Sequence, residues 1–284
     1  MTKLYIKKLF FLIMKNNFFW SLIDNTFNTF CHFYKKASFY RNRSNIPKKE
    51  IGSKSYLNFK KRIKTDLVVL NGPFSGMKYP SLKSSGSVIF PKLLGSYEKE
   101  IQVFIDYIQN QDYENIIDIG CAEGYYAVGL GMKQKKAKVF AFDNDENAQK
   151  QCKKMAKLNN VEINIHGFFT KTSYEKYTQN KKSLIFMDCE GYERYLIDKK
   201  IATKHQNCDF LIEAHDFIDI SITDHILNAF RMTHKIEIIE SIDDISKAYN
   251  YEYKELSGIS LLEKKQLLSE NRPTIMRWIF AKSK

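Results

Sequence analysis

Asn115-Ile-Ile-Asp118-Ile-Gly120-Cys-Ala122-Glu-Gly124, answered 19 residues later by Asp143 at the end of Lys138-Val-Phe-Ala-Phe-Asp143, is the stretch on which the fold turns. A short apolar run, a glycine turn and the helical run YYAVGLGMKQKK describe a strand feeding a helix. Glycines at such a turn let the backbone approach a ligand closely, and the free N–H groups of the helix N-terminus face it. Asp143 stands at the tip of the next strand, where a carboxylate can accept both hydroxyls of a ribose. Outward from this pair the pattern keeps alternating, as in a parallel sheet covered by helices. KVFAFD is the second strand, ENAQKQCKKMAKLNN a helix, VEINIHG the third strand, SLIFMD the fourth and CDFLIEAH the fifth. ERYLIDKKIATKH reads as one crossover helix, and HKIEIIES and IMRWIFAKS are two late strands. The expectation is an α/β fold over residues 115–284: a Rossmann-like, doubly wound, seven-stranded and mostly parallel sheet.

Upstream lie two segments of different character. Residues 65–114 form a lead-in, with turn chemistry in GPFSGMKYP and then a loop entering a helix in PKLLGSYEKEIQVFIDYI, whose apolar residues recur every three or four positions. Residues 1–64 hold 15 Lys or Arg against two acids, which accounts for the whole net charge of +13; the remainder balances at 30 basic and 30 acidic residues. A neutral domain is unlike one that must track a phosphate backbone, so no nucleic-acid partner is expected. Residues 1–40 interleave Lys with twelve aromatic residues and read as amphipathic helices, an N-terminal helical extension. They suit peripheral membrane contact, with rings in the acyl boundary and lysines on anionic head groups, or packing on the catalytic domain or another subunit. Five cysteines without metal-ligand spacing, no secretory signal and no apolar run long enough to span a bilayer point to the cytoplasm, on the inner face of the membrane if the extension binds there.

A dinucleotide fingerprint would need glycines at 120, 122 and 125, where this chain has Ala122 and Tyr125. The DxGxxxG form, with an acid closing the second strand, instead resembles the first two motifs of class I methyltransferases. That resemblance implies S-adenosylmethionine as cofactor, held by Asp118, Gly120, Ala122, Gly124 and Asp143. Asp145 is the competing ribose ligand but suits a helix N-cap better. Phe168, after the third strand, is placed to stack on the adenine or to sit in the core.

Methyl transfer from a sulfonium is an in-line displacement, so the protein mainly aligns the acceptor and removes its proton. A hydroxyl needs a base or a metal for this. The ends of strands four and five carry Asp188-Cys-Glu190-Gly191-Tyr-Glu193 and Glu213-Ala-His215-Asp216. His215 is the candidate base, since its intrinsic pKa lies near neutrality. Alternatively Asp188, Glu213, His215 and Asp216 ligate a divalent ion such as Mg or Mn. Glu190 and Glu193 also suit the N-terminus of the crossover helix, and Glu193 is read as its cap. The Asn/Asp-Pro-Pro-aromatic segment common where amino groups are methylated is missing here, and no proline occurs between Pro91 and Pro273, which favours a hydroxyl acceptor.

DIGCAEGYYAVGLG, AFDND and above all MDCEGYE resemble FkbM-type methyltransferases, whose fourth strand ends in D-x-E-G-x-E. The likeness runs over roughly residues 115–216. It implies O-methylation, with Asp188 and Glu190 forming part of the active site. GPFSGMKYP, PKLLGSYEKE and ENRPTIMRW resemble a bacterial branch associated with surface-polysaccharide biosynthesis, which implies a glycan or glycan-precursor acceptor. A small diffusible metabolite is the alternative acceptor. A non-enzymatic membrane or RNA adaptor that retains the fold is the remaining alternative, and the intact donor motif argues against it.

Overall fold

The computed structural model describes residues 67–284; the expectations for the basic extension, its helices and its membrane contact lie outside the described residues. The lead-in carries α1 (Ile89–Leu94), a short 3-10 turn and α2 (Gln102–Gln109). Strand β1 (Asn115–Ile119), α3 (Tyr125–Lys133), β2 (Lys138–Phe142), α4 (Glu146–Leu158) and β3 (Ile163–His166) follow in strict alternation. Then come α5 (Ser173–Thr178), β4 (Ser183–Met187), α6 (Glu193–Leu196), α7 (Lys199–Lys204) and β5 (Asp209–Ala214). The chain closes with α8 (Ile222–Phe230), β6 (His234–Glu240), α9 (Asp244–Asn250), α10 (Leu261–Leu268) and β7 (Arg277–Ser283).

The seven strands lie in the order β3-β2-β1-β4-β5-β7-β6. The first five run parallel, and β7 inserts antiparallel to both β5 and β6. This is the Rossmann-like class I methyltransferase fold, as the sequence pattern predicts. Every residue of β1, β4 and β5 is buried, because helices cover both faces of the sheet, and for that reason these strands read as continuous apolar runs rather than alternating ones. The strand order reverses between β1 and β4, which puts the ligand crevice outside the carboxyl ends of those two strands.

Three features differ from the sequence reading. The crossover between β4 and β5 is two short helices, not one, because Asp198 accepts from the Ile201 N–H and starts α7 afresh. In the lead-in the helix begins ahead of the expected loop, at Ile89, and stops at Gly95; there φ is +84°, and a Cβ would lie 2.0 Å from the Asn71 carbonyl. The lead-in also belongs to the main core: Phe74, Leu94, Ile101, Phe104 and Ile105 are buried in one cluster with Phe186, Trp278 and Phe280. Phe74 sets its ring edge-on to Tyr125 and Tyr126 at 5.2 and 5.9 Å, under the helix that opens at the glycine turn. Burying a phenylalanine contributes about 2–3 kcal/mol, so the lead-in is a support of the crevice and not a detachable arm. Among the described residues, no helix is long and apolar enough to cross a membrane.

Candidate active site

The glycine turn after β1 is tight for a backbone reason. Gly120 has φ +89°, and a Cβ there would lie 1.8 Å from the Asp188 carbonyl oxygen at the end of β4. Only glycine allows the two strand ends to meet this closely. Ala122 adopts φ +49° and donates its N–H to Asp143 Oδ2 at 2.9 Å, while Asp143 Oδ1 accepts from the Asp145 N–H at 2.8 Å. Asp143 thus stands half-buried at the tip of β2, with both oxygens oriented. Asp145 accepts from the Asn147 N–H at 2.8 Å and is the N-cap of α4. Gly124, φ +98°, opens α3, and a Cβ there would press on Cys152 Sγ at 2.8 Å.

Asp118 is 1% exposed, and its Oδ2 has no hydrogen-bond partner among the described residues. Burial, then the charges of Asp188 and Asp143, push its carboxyl up to about 8. A buried acid with an open oxygen beside a glycine cradle, and a carboxylate held at the tip of the next strand, fit a nucleoside donor such as S-adenosylmethionine. Phe168, past the end of β3, is 54% exposed and tilts against Tyr192 at 5.1 Å; the core position belongs to Phe169. Of the two places the sequence left open for Phe168, the core one is therefore not taken.

The turn residues around the loop contain a pair that periodicity does not reveal. Glu123, 2% exposed, meets Lys92, 3% exposed, at 2.6 Å, and accepts from Ser84 Oγ and the Ser85 N–H, each at 2.8 Å. Burial pushes the Glu123 carboxyl up, but Lys92 and these donors outweigh it and hold it below its usual value. The lead-in is thereby fastened to the donor loop at the residue between Ala122 and Gly124.

Across the crevice, β4 and β5 bring together His215, Asp188, Glu190, Glu193 and Glu213. The D-x-E-G-x-E turn does this by two successive left-handed residues, Glu190 at φ 57° and Gly191 at φ +91°. His215 Nδ1 lies 3.0 Å from Glu193 Oε1, and its Nε2 faces Asp188, Glu190 and Glu213 oxygens at 3.4, 3.6 and 3.6 Å. Glu193, fully buried, is the first residue of α6 and not its cap, since the N-cap is Tyr192 with no side-chain cap bond; its carboxylate accepts from the Cys189 N–H at 3.0 Å and orients the histidine. Burial alone would lower the His215 pKa, yet Glu193, Asp188 and Glu213 hold it well above its ordinary value. The acids around it thus favour the protonated imidazole, while its place among them at the β4 and β5 ends is the one the sequence reading gave the candidate base. One atom each of Asp188, Glu213 and His215 lie within 4.8 Å of one another, a spacing that could hold a metal ion.

Asp216 is a second correction. Its oxygens accept from the Thr223 N–H and Oγ1 at 2.9 and 2.7 Å and pair with Arg277 at 3.2 Å, so it caps α8 rather than joining the expected metal set. Arg272 is a residue the sequence did not assign: it reaches Glu213, Glu98 and Glu270 from the segment before β7. Burial, opposed by Arg272 and reinforced by Asp188, leaves Glu213 raised to about 7.

The family model described as "Methyltransferase small domain" matches residues 96–188, from the lead-in through β4, and ends before Glu193, Glu213 and His215. No curated protein matches the chain. In structure the chain is similar to an rRNA methylase from Streptococcus thermophilus, at 12% identity and TM-score 0.43, over 65% of this chain and 97% of that one. It is similar to a precorrin-6y C5,15-methyltransferase from Geobacter metallireducens, at 10% identity and TM-score 0.45, over 64% and 86%. An O-methyltransferase from Bacillus cereus is similar at 12% identity and TM-score 0.40, over 65% and 80%. The family match over the donor half of the sheet supports an S-adenosylmethionine-dependent methyltransferase.

Proposed function

We propose that this chain is an FkbM-type O-methyltransferase that acts on a hydroxyl of a glycan or glycan precursor. The observation that carries the reading is the juxtaposition of the two strand ends: Gly120 of the donor loop lies directly against Asp188 of the D-x-E-G-x-E turn. S-adenosylmethionine, when bound, supplies a methyl group already activated by its sulfonium. Asp143 would accept the ribose hydroxyls, Asp118 and the Gly120–Gly124 backbone would hold the amino-acid end, and Phe168 would cover the adenine. On the acceptor side, Asp188 is the most exposed carboxylate of the His215 group, at 28% for its side chain, and takes the proton of the acceptor hydroxyl. His215, held by Glu193, lies against Asp188 and Glu190 and keeps them in place. The bacterial-branch likeness of GPFSGMKYP and ENRPTIMRW supports a polysaccharide acceptor. Residues 1–40 would keep such an enzyme at the inner face of the membrane, where lipid-linked precursors lie.

Two assays test this. Calorimetry with S-adenosylhomocysteine should show binding, and loss of a methyl-transfer signal onto sugar hydroxyls in Asp188→Asn, with donor affinity kept, should follow. A chain that binds no donor would end the proposal. A second reading has its own observation, the grouping of Asp188, Glu213 and His215, whose oxygen-rich donors suit Mg or Mn. In that reading a divalent ion lowers the acceptor's pKa. Activity that survives a strong chelator excludes it, and activity restored only by metal add-back supports it.

A further inference from the structure

Arg272 lies in ENRPTIMRW, and its side chain has no part in the methyl-transfer reading. Its side chain is 10% exposed, and each guanidinium nitrogen has a separate carboxylate: Nη1 meets Glu213, Nη2 meets Glu98, and Nε meets Glu270 at 2.8 Å. Each of these three acids is placed by something else as well. Glu270 pairs with the fully buried Lys247 and accepts from the Glu98 N–H at 3.0 Å. Glu98 accepts from the Tyr126 hydroxyl, in the first turn of α3, and sits at φ 49°. A non-glycine residue is held in that region only when its surroundings over-determine it. Glu213 offers its other oxygen to His215. The chain of contacts therefore runs unbroken from the helix of the donor loop, through Tyr126, Glu98 and Arg272, to Glu213 and His215.

We infer that Arg272 is a positioning residue of the transfer site, one that sets Glu213 beside His215 and ties the acceptor end of β5 to the donor helix. The inference rests on the His215 group being the acceptor side. Glu213 converges with Asp188 and Glu190 on the same imidazole nitrogen, Nε2, and a buried acid among acids turns away or takes a proton unless a cation fixes it. A planar guanidinium fixes three carboxylates in set directions, whereas the point charge of a lysine ammonium on a flexible stem does not. Retention of charge is thus insufficient; the fork is what the site uses.

The test uses the full chain labelled with ¹⁵N-histidine, and reads the His215 ring nitrogens by NMR, assigned by their loss in His215→Gln. Arg272→Lys should displace these resonances. Glu98→Gln, which releases one arm of the fork, should displace them in the same sense by less, and it decides the matter if the lysine variant does not fold. In a Glu213→Gln background, adding Arg272→Lys should cause no further displacement, because the group it acts through is already neutral. Tyr113→Phe is the control for instability alone: it removes a buried hydrogen bond to Asp209 at the opposite end of β5 and should leave His215 unmoved. His215 resonances unchanged in both Arg272→Lys and Glu98→Gln would overturn the inference and leave Arg272 as a fold-stabilising residue. Calorimetry with S-adenosylhomocysteine on the unaltered chain separates the two claims, since failure to bind donor sinks the methyltransferase reading while the His215 displacement stands by itself.

Discussion

Gly120→Ala is the sharpest perturbation the fold offers. Two costs follow from the geometry. The first is the left-handed backbone, φ +89°, which for an alanine amounts to about 1–3 kcal/mol. The second is steric: the new Cβ would lie 1.8 Å from the Asp188 carbonyl, and real Cβ atoms essentially never come under 3.0 Å, so the strand ends must part by at least the difference, about 1.2 Å. The obstacle is backbone, not a side chain that can swing aside. Parting β1 from β4 strains the Asp188 N–H to Ile119 carbonyl bond, 3.0 Å long, whose loss adds about 1 kcal/mol. The expected total is about 2–4 kcal/mol. Gly76→Ala is the matched control, since its φ is +90° but nothing lies within 4 Å of the new methyl, so it should lose only the backbone share, about 1–3 kcal/mol. Urea unfolding of both variants gives the difference, and calorimetry with S-adenosylhomocysteine should show weakened binding in Gly120→Ala alone. Equal destabilisation of the two would refute the claim that the donor turn and the β4 end are in contact by necessity.

Asp143→Ala should weaken donor binding by about 1–3 kcal/mol, roughly 5- to 150-fold, through loss of a charge-assisted acceptor. Asp145→Ala should instead cost about 1 kcal/mol of stability through the lost cap of α4 and leave donor affinity alone; the opposite pattern would exchange their roles. Lys92→Met leaves Glu123 buried without its cation and should destabilise by about 3–5 kcal/mol, and the added change Glu123→Gln should recover much of it; no recovery would mean the lysine acts through packing. Stability should fall as pH rises from 6.5 to about 8.5. Burial raises Glu98 and Glu213 to about 7 and Asp118 to about 8, so the folded state holds protons that the unfolded chain has released, and His215, raised by its acidic neighbours, acts in the same sense. His166, His205 and His234, lowered mainly by burial, work against this only below about pH 6.5, outside that window. Denaturation midpoints that stay flat or increase across the range would contradict these assignments.

The alternation of strands and helices, the glycine turn, the acid at the tip of β2 and the D-x-E-G-x-E turn are all local in the chain. Each follows from apolar periodicity, from backbone conformations that favour glycine, or from a carboxylate at a strand end. The sequence by itself therefore determined the seven-stranded sheet, the placing of its donor loop, and the convergence of His215 with Asp188, Glu190 and Glu213. Tertiary structure decided the rest. Glu193 reads as a helix cap because its partner, His215, lies on another strand, and Asp216 reads as a ligand because its capping of Thr223 depends on how the chain turns after β5. Lys92 falls in the stretch expected to be a loop ahead of a helix and Arg272 in one with no periodic signal, and their carboxylates come from segments far along the chain, so only packing pairs them. Burial then changes the chemistry of the site: charges that would be screened in water act at short range in the interior. That is why the acids folded around His215 raise its pKa although burial alone would lower it.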